Sequence, residues 1–170
     1  MEGITFIEQF IPDPDLLFSS LKDNTLWDER MTARKTASFG VAYNYSQISY
    51  PFQAFTPVLQ EIVSAISETI GYTPNNCLIN YYPDGKAKMG YHADQTDILH
   101  EGTGIAIVSV GETRLLRFKN IARPSEVVDF PLYNGSLIYM TQAVQQEWLH
   151  AVPAAATGNG RMSLTFRSIK

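Results

Sequence analysis

The segment Arg161 to Arg167, RMSLTFR, limits the fold more than any other stretch of this chain. In an extended strand successive side chains point to opposite faces, so Met162, Leu164 and Phe166 share one face. Arg161, Ser163, Thr165 and Arg167 share the other. The apolar set must face or cover a core. The polar set, with an arginine at either end, faces something else, as on the inside of a barrel-type strand. Charge inside a fold is expensive unless it is paired, so two guanidiniums there need anionic partners. A dicarboxylic acid would satisfy both by charge-assisted hydrogen bonds; two protein carboxylates would do so by salt bridges.

The rest of the chain offers a frame for such a strand. From residue 77 the hydrophobic period is that of strands, and Leu78, Asn80 and Tyr82 share a face before the turn Pro83-Asp84-Gly85. Strands are predicted at Ile105 to Val110, Leu115 to Phe118, Val127 to Leu132 and Ser136 to Met140, with Asn134-Gly135 as a tight turn. A last one runs from Arg161 to Ile169. Upstream, Thr5 to Ile11 reads as a short strand closed by Pro12-Asp13-Pro14-Asp15. Those closing residues also offer an N-cap to a helix through Leu16, Leu17 and Leu21. Thr56-Pro57 opens a second helix, with Val58, Leu59, Ile62, Val63, Ile66 and Ile70 on one stripe and Gly71 as its stop. Residues 30–50 are polar with interleaved aromatics, and Gly40 and Asn44-Tyr45-Ser46 predict irregular strands or loops. Many short strands after one helical layer predict an antiparallel jelly roll buttressed by helices.

Composition excludes several classes of function. A chain of 170 residues, 45% of them hydrophobic and 18% charged, builds one domain with a real core and is not disordered. The formal net charge of −4 removes any global electrostatic pull toward nucleic acid. Local attraction remains open at Arg34 with Lys35, at Lys86 with Lys88, and along Arg114, Arg117, Lys119 and Arg123. Scattered, solvated charge is the commoner meaning of any one of those pairs. The N-terminus lacks a basic segment followed by an apolar run, and no apolar stretch is long enough to span a bilayer. No signal peptide and no membrane partner are therefore expected. The expected location is the cytoplasm, or the nucleus of a eukaryote. The single Cys77, beside Leu78 and Ile79, suits a reducing compartment and reads as a small core residue. The expected state is a monomer.

The chemistry is sharpest in Asn80 to Asp94, NYYPDGKAKMGYHAD, which ends in His92-x-Asp94. Residues two apart on a strand reach the same side, so both can bind one ion. One imidazole and one carboxylate do not hold a metal alone. Of the two other histidines, His100 sits in the polar, Gly-flanked TDILHEGTG and reads as a surface loop residue. His150 follows the apolar and aromatic run of EWLHAVP. His92, Asp94 and His150 would form the two-His, one-carboxylate facial triad of non-haem Fe(II) oxygenases.

Taken in order, Asn80-x-Tyr82-x-x-Gly85, His92-x-Asp94, the distant His150 and Arg161-x5-Arg167 resemble the AlkB family of Fe(II) and 2-oxoglutarate-dependent dioxygenases. The resemblance extends over FIEQFIPD, ARKTASFGVAYNY, IVSVGETRLLRF and GSLIYM, and so over most of the chain. It implies an α+β fold, an antiparallel double-stranded β-helix (jelly roll) with N-terminal helices packed on the major sheet. It implies one domain over residues 1–170, with roughly 1–75 as helical support and substrate lid and 76–170 as the catalytic jelly roll. It also implies Fe(II) held by His92, Asp94 and His150, with 2-oxoglutarate and dioxygen as co-substrates. Arg161 would pair with the far carboxylate of 2-oxoglutarate and Tyr82 would add a hydrogen bond. Arg167 and Asn80 would lie at the keto-acid end, and Ser163 stands where relatives often carry Asn. The implied reaction converts dioxygen and 2-oxoglutarate to succinate and carbon dioxide while a C–H bond is hydroxylated. On an N-alkyl group the product falls apart to aldehyde and repaired base.

The same resemblance makes Arg34 to Tyr45 a lid over a flipped-out base, with Phe39, Tyr43 and Tyr45 as stacking residues and packing on the sheet as the alternative for each. Gln95-Thr96-Asp97 replaces the acidic residues that often follow the motif, and Thr96 and Asp97 are expected to shape base preference. Three functions stay open: a demethylase of alkylated bases in DNA or RNA, with single strands preferred to duplex; the same chemistry on a protein or small molecule; and a non-catalytic binding module. The complete ligand set disfavours the last.

Overall fold

The computed structural model describes residues 1–45 and 47–170. Ser46, in the segment expected to be irregular, lies outside them. Three helices and twelve strands are found among the described residues. In chain order these are β1 (Ile4–Ile7), α1 (Pro14–Asn24), β2 (Lys35–Gly40), β3 (Tyr43–Tyr45), β4 (Ile48–Tyr50) and α2 (Pro57–Ile70). Then come β5 (Asn76–Tyr82), β6 (Met89–His92), β7 (Ile105–Gly111), β8 (Arg114–Asn120), β9 (Val127–Leu132) and β10 (Ser136–Met140). The chain closes with α3 (Gln142–Glu147), β11 (Trp148–Val152) and β12 (Arg161–Arg167).

The strands form a major sheet in the order β1-β10-β7-β12-β5-β2 and a minor sheet in the order β6-β11-β8-β9. Every neighbour in both sheets is antiparallel. From β5 onward the chain keeps crossing between the sheets, which is the connectivity of a jelly roll. The first strand is shorter than the sequence predicts, because Phe10 and Ile11 leave it to bond the Gly135 carbonyl. β1 and β2, both from the N-terminal 75 residues, extend the major sheet at its two edges.

Alternation along each strand sorts the side chains into two cores. Met162, Leu164 and Phe166 of β12, with Cys77 and Ile79 of β5, pack against Leu17 and Leu21 of α1 and Leu59, Ile62, Val63 and Ile66 of α2. The helices thus cover the outer face of the major sheet. Their ends follow from their caps: Asp13 accepts from the Leu16 N–H, Thr56 accepts from the Leu59 N–H, and Gly71 adopts φ 86° to end α2. A second core, with Ile105, Ile107, Ile138, Phe118, Leu116 and Trp148, fills part of the space between the sheets. The remaining interior is left to polar side chains. Among the described residues no helix is long and apolar enough to cross a membrane.

Candidate metal centre and co-substrate pocket

The face of β12 opposite the helices lines a cavity of about 370 Å³ between the sheets. Register brings its polar residues level with those of the flanking strands. Arg161 lies opposite Tyr82, and Ser163 lies between Asn80 on β5 and Ser109 on β7. Leu78, Asn80, Tyr82, Arg161, Ser163, Thr165 and Arg167 form this wall. Met89, Gly90, Tyr91, His92, Leu116, Leu132, His150 and Val152 form the wall from the minor sheet.

His92 and His150 are paired directly across β6 and β11, with ring centroids 4.3 Å apart. Asp94 is not on the strand that the sequence predicts for it: β6 ends at His92, and the carboxylate folds back from the following coil. The Nε2 atoms of His92 and His150 lie 3.6 and 3.5 Å from the two Asp94 oxygens. Those gaps are too long for good hydrogen bonds. One donor atom from each of the three residues lies within 4.8 Å of the others. Adjacent ligands of an octahedral ion with bonds of roughly 2.1 Å sit about 3 Å apart, so the group closes on a metal with little movement.

Neighbouring groups set the state of each of these three side chains. The His92 Nδ1 donates to the Gly90 carbonyl at 2.8 Å, which turns the Nε2 lone pair toward Asp94. Asp94 raises the His92 imidazole above its ordinary value against the opposing effect of burial, and the Gly90 carbonyl adds to the rise. Burial by itself would raise the Asp94 carboxyl. Its two imidazole neighbours and the Arg167 guanidinium outweigh burial and hold it well below the usual carboxylate range. The site is therefore a preformed anion facing two imidazoles, the donor set that Fe(II) takes. His100 is exposed and stands outside this group.

The two arginines have no protein carboxylate within 4.0 Å among the described residues, so the salt-bridge alternative fails. Arg161 is 2% exposed and donates one N–H to the Ser109 hydroxyl at 3.0 Å, while its Nε has no partner. Burial lowers its guanidinium to about 10, still far enough above neutrality to keep the charge. Arg167 is 5% exposed, and its buried NH1 is also unpartnered. A small dicarboxylate such as 2-oxoglutarate supplies the negative charge that these orphaned donors lack.

Above the cavity, β3 and β4 form a hairpin anchored by the hydrogen bond between the Tyr50 and Thr36 hydroxyls, 2.6 Å. Tyr43 and Tyr45 stack on one another with ring centroids 6.2 Å apart. The Arg167 guanidinium sits 5.0 Å from the Tyr43 ring. Arg34 donates to the Asn80 side-chain oxygen at 3.0 Å and to the Tyr45 hydroxyl. Arg34 and Tyr45 line the cavity, and Tyr43 lines an adjoining cleft with Asn44, Gln95 and Asp97. Thr96 is half-buried beside that cleft, and its carbonyl accepts the Leu99 N–H. Phe39 corrects the sequence reading. It is 3% exposed, on the helix side of β2 with Ala37, and belongs to the outer core, so no base can stack on it.

Two residues hold the site together that the sequence does not place there: Gln145, and Arg114, which the sequence offers only as part of a basic run and the structure buries. Gln145 on α3 is 5% exposed, and its side-chain oxygen accepts the Asp94 N–H at 2.8 Å. Arg114 on β8 is 3% exposed and donates to the carbonyls of Ala87 and Pro153, both at 2.7 Å. Ala87 precedes β6 and Pro153 follows β11, so one guanidinium clips together the two strands that carry His92 and His150. Neither residue has a local signal in sequence, because each acts on chain far away from it.

A two-sheet jelly roll with a His-x-Asp and a distant His inside it, facing buried arginines, defines a non-haem iron oxygenase of the double-stranded β-helix class. Sequence comparison narrows this: residues 19–167 match the 2OG-Fe(II) oxygenase superfamily, and the chain belongs to it. The family's cofactor and co-substrates are Fe(II), 2-oxoglutarate and dioxygen. The chain is AlkB-like within that family. It is 31% identical over 94% of its length to the rat alpha-ketoglutarate-dependent dioxygenase alkB homolog 3, of which it covers 61%. To the human DNA oxidative demethylase ALKBH2 it is 35% identical over 80% of its length, covering 56% of that protein. An uncharacterized mimivirus protein, R406, is 30% identical over 96% of this chain and is covered to 85%. The chain thus spans about three fifths of the length of the mammalian relatives. The solved structure of OsALKBH1 superposes with a TM-score of 0.69, covering 99% of both chains at 16% identity, and so shares the fold.

Proposed function

We propose that the chain is an Fe(II)- and 2-oxoglutarate-dependent oxidative demethylase of N-alkylated bases in nucleic acid, acting on single strands in preference to duplex and working as a monomer. The observation that carries this reading is the cavity itself, with three metal-binding donors on one wall and two carboxylate-free guanidiniums on the other. The names of the alkB homolog 3 and DNA oxidative demethylase relatives supply the substrate class.

In this reading His92, Asp94 and His150 hold Fe(II). Arg161, Tyr82 and Ser163 take the far carboxylate of 2-oxoglutarate, and Arg167 and Asn80 take its keto-acid end. Fe(II) held by these three residues would supply the redox chemistry by which decarboxylation of 2-oxoglutarate by dioxygen is coupled to hydroxylation of an N-methyl C–H bond. One oxygen atom enters succinate and the other the methyl group. The hydroxymethyl group then leaves as formaldehyde, returning a proton to the base nitrogen. Tyr43 and Tyr45 exclude water from above and stack on the base, Arg34 fixes Tyr45, and Thr96 and Asp97 select the base edge.

The test is succinate release, measured over a panel of N-alkylated oligonucleotides with free nucleosides as controls. The expected result is a rate raised by at least one oligonucleotide above uncoupled 2-oxoglutarate decay. Uncoupled decay that no oligonucleotide stimulates would move the assignment to a protein or small-molecule hydroxylase, which the net charge of −4 favours.

A further inference from the structure

β6 carries two side chains to different places. His92 turns into the cavity, and Tyr91 lies at its rim, 41% exposed, on the side of the minor sheet. Over the Tyr91 ring stands the Lys119 ammonium, 4.1 Å from the ring centroid. Lys119 lies on the outward face of β8, where it pairs with Leu149 across the strands.

The charge around this pair is distributed unevenly. Arg30, Lys35, Arg117 and Arg123 are bound by Asp28, Glu29, Asp129 and Glu126 respectively. Among the described residues Lys119 has no carboxylate within 4.0 Å, and its side chain makes no hydrogen bond. Lys22, Lys86, Lys88 and Lys170 share that lack, but none of them is held against an aromatic ring. Lys119 is thus an unneutralised cation, positioned in advance, beside a residue that lines the cavity. A lysine fixed over an aromatic ring loses less side-chain freedom when it captures an anion, because part of that ordering is already made.

We infer that Lys119 and Tyr91 form a phosphate-binding shelf for the nucleotide next to the target base in a single strand. Lys119 contacts the phosphodiester and Tyr91 holds the ammonium in place, so that the backbone enters over the minor sheet while the target base sits under Tyr43 and Tyr45. This inference rests on the nucleic-acid reading above. It also explains how a chain with a net charge of −4 can grip a strand, because the attraction needs only a local cation beside β6, the strand that carries His92.

The experiment is anisotropy of a fluorescent single-stranded oligonucleotide carrying one N-methylated base, titrated with Fe(II)- and 2-oxoglutarate-loaded protein without dioxygen. The titration is repeated between 50 and 200 mM salt for wild type, Lys119→Ala, Tyr91→Leu and Lys22→Ala. Losing one phosphate contact should make the slope of log affinity against log salt shallower by about 0.7. Lys119→Ala should therefore bind more weakly at low salt, with a gap from wild type that narrows roughly 2.5-fold across the range. Tyr91→Leu should lie between the two, and Lys22→Ala, on α1, should match wild type. A Lys119→Ala slope equal to wild type overturns the shelf and leaves the demethylase reading standing. Wild type that binds no oligonucleotide at any salt overturns both.

Discussion

Arg161 is where residue-scale physics is most demanding, because a guanidinium that is 2% exposed keeps an unpartnered Nε. Arg161→Ala should weaken 2-oxoglutarate binding by about 2–3 kcal/mol, the size of a lost charge-assisted pair. Arg161→Lys should restore only part, since a point charge cannot reproduce the planar fork. Titration of metal-loaded protein under anaerobic conditions measures both, and equal affinity in wild type and Arg161→Ala would end the assignment. Phe39 and Tyr43 separate at the same scale. Phe39→Ala should cost about 3–5 kcal/mol of stability by opening a cavity under the helices. Tyr43→Ala, on the half-exposed hairpin, should leave the melting temperature close to wild type and reduce turnover of alkylated oligonucleotides instead. The sequence reading placed the two together because both are aromatic and lie in one segment. It could not separate them because β2 is covered on both faces, and alternation does not reveal which face is the cavity.

At the scale of elements, the strands were legible either by alternation of apolar and polar residues, as in β12, or as short apolar runs bounded by turn residues, as in β10. β9 and β10 run over the residues that the pattern predicts, and Gly135, at φ 89°, makes the turn between them. The polar face of β12 was legible by that alternation, and it located the cavity before any strand order was known. α3 was not legible. Its six residues are too few to display a helical stripe, and its Thr141 N-cap makes no side-chain hydrogen bond. Yet α3 presents Gln145 to the Asp94 N–H, the bond that aims a carboxylate lying beyond its strand. Gln145→Ala should therefore leave a half-buried N–H without its partner and lower metal affinity on the order of 10–100-fold, the usual cost of losing an outer partner of a ligand. Gln145→Glu should not rescue it, because a second buried carboxylate would stand beside Asp94. Isothermal titration with Fe(II), or with Mn(II) as a redox-inert substitute, reads the difference. An unchanged affinity in Gln145→Ala would make Gln145 a packing residue only.

At the scale of the whole molecule, the balance of charge bears on the proposed preference for single strands over duplex. Chemistry on a base requires the base to leave its stack, which costs a few kcal/mol in a duplex and least in a single strand. A protein can offset that cost with many phosphate contacts. Here the net charge is −4, and four of the surface cations are already bound to carboxylates. Few phosphate contacts remain to reshape a duplex. Succinate release should accordingly be faster on an N-methylated single strand than on the same strand annealed to its complement. The rate at subsaturating substrate should fall as salt is added, with a shallow dependence of about 0.7 in the logarithmic slope for each phosphate engaged. A mismatch opposite the modified base should recover part of the duplex rate, because it lowers the cost of unpairing without adding any contact. Equal rates on the single strand and the fully paired duplex, with a steep salt dependence, would mean that the protein opens duplexes through more phosphate contacts than this charge balance leaves it.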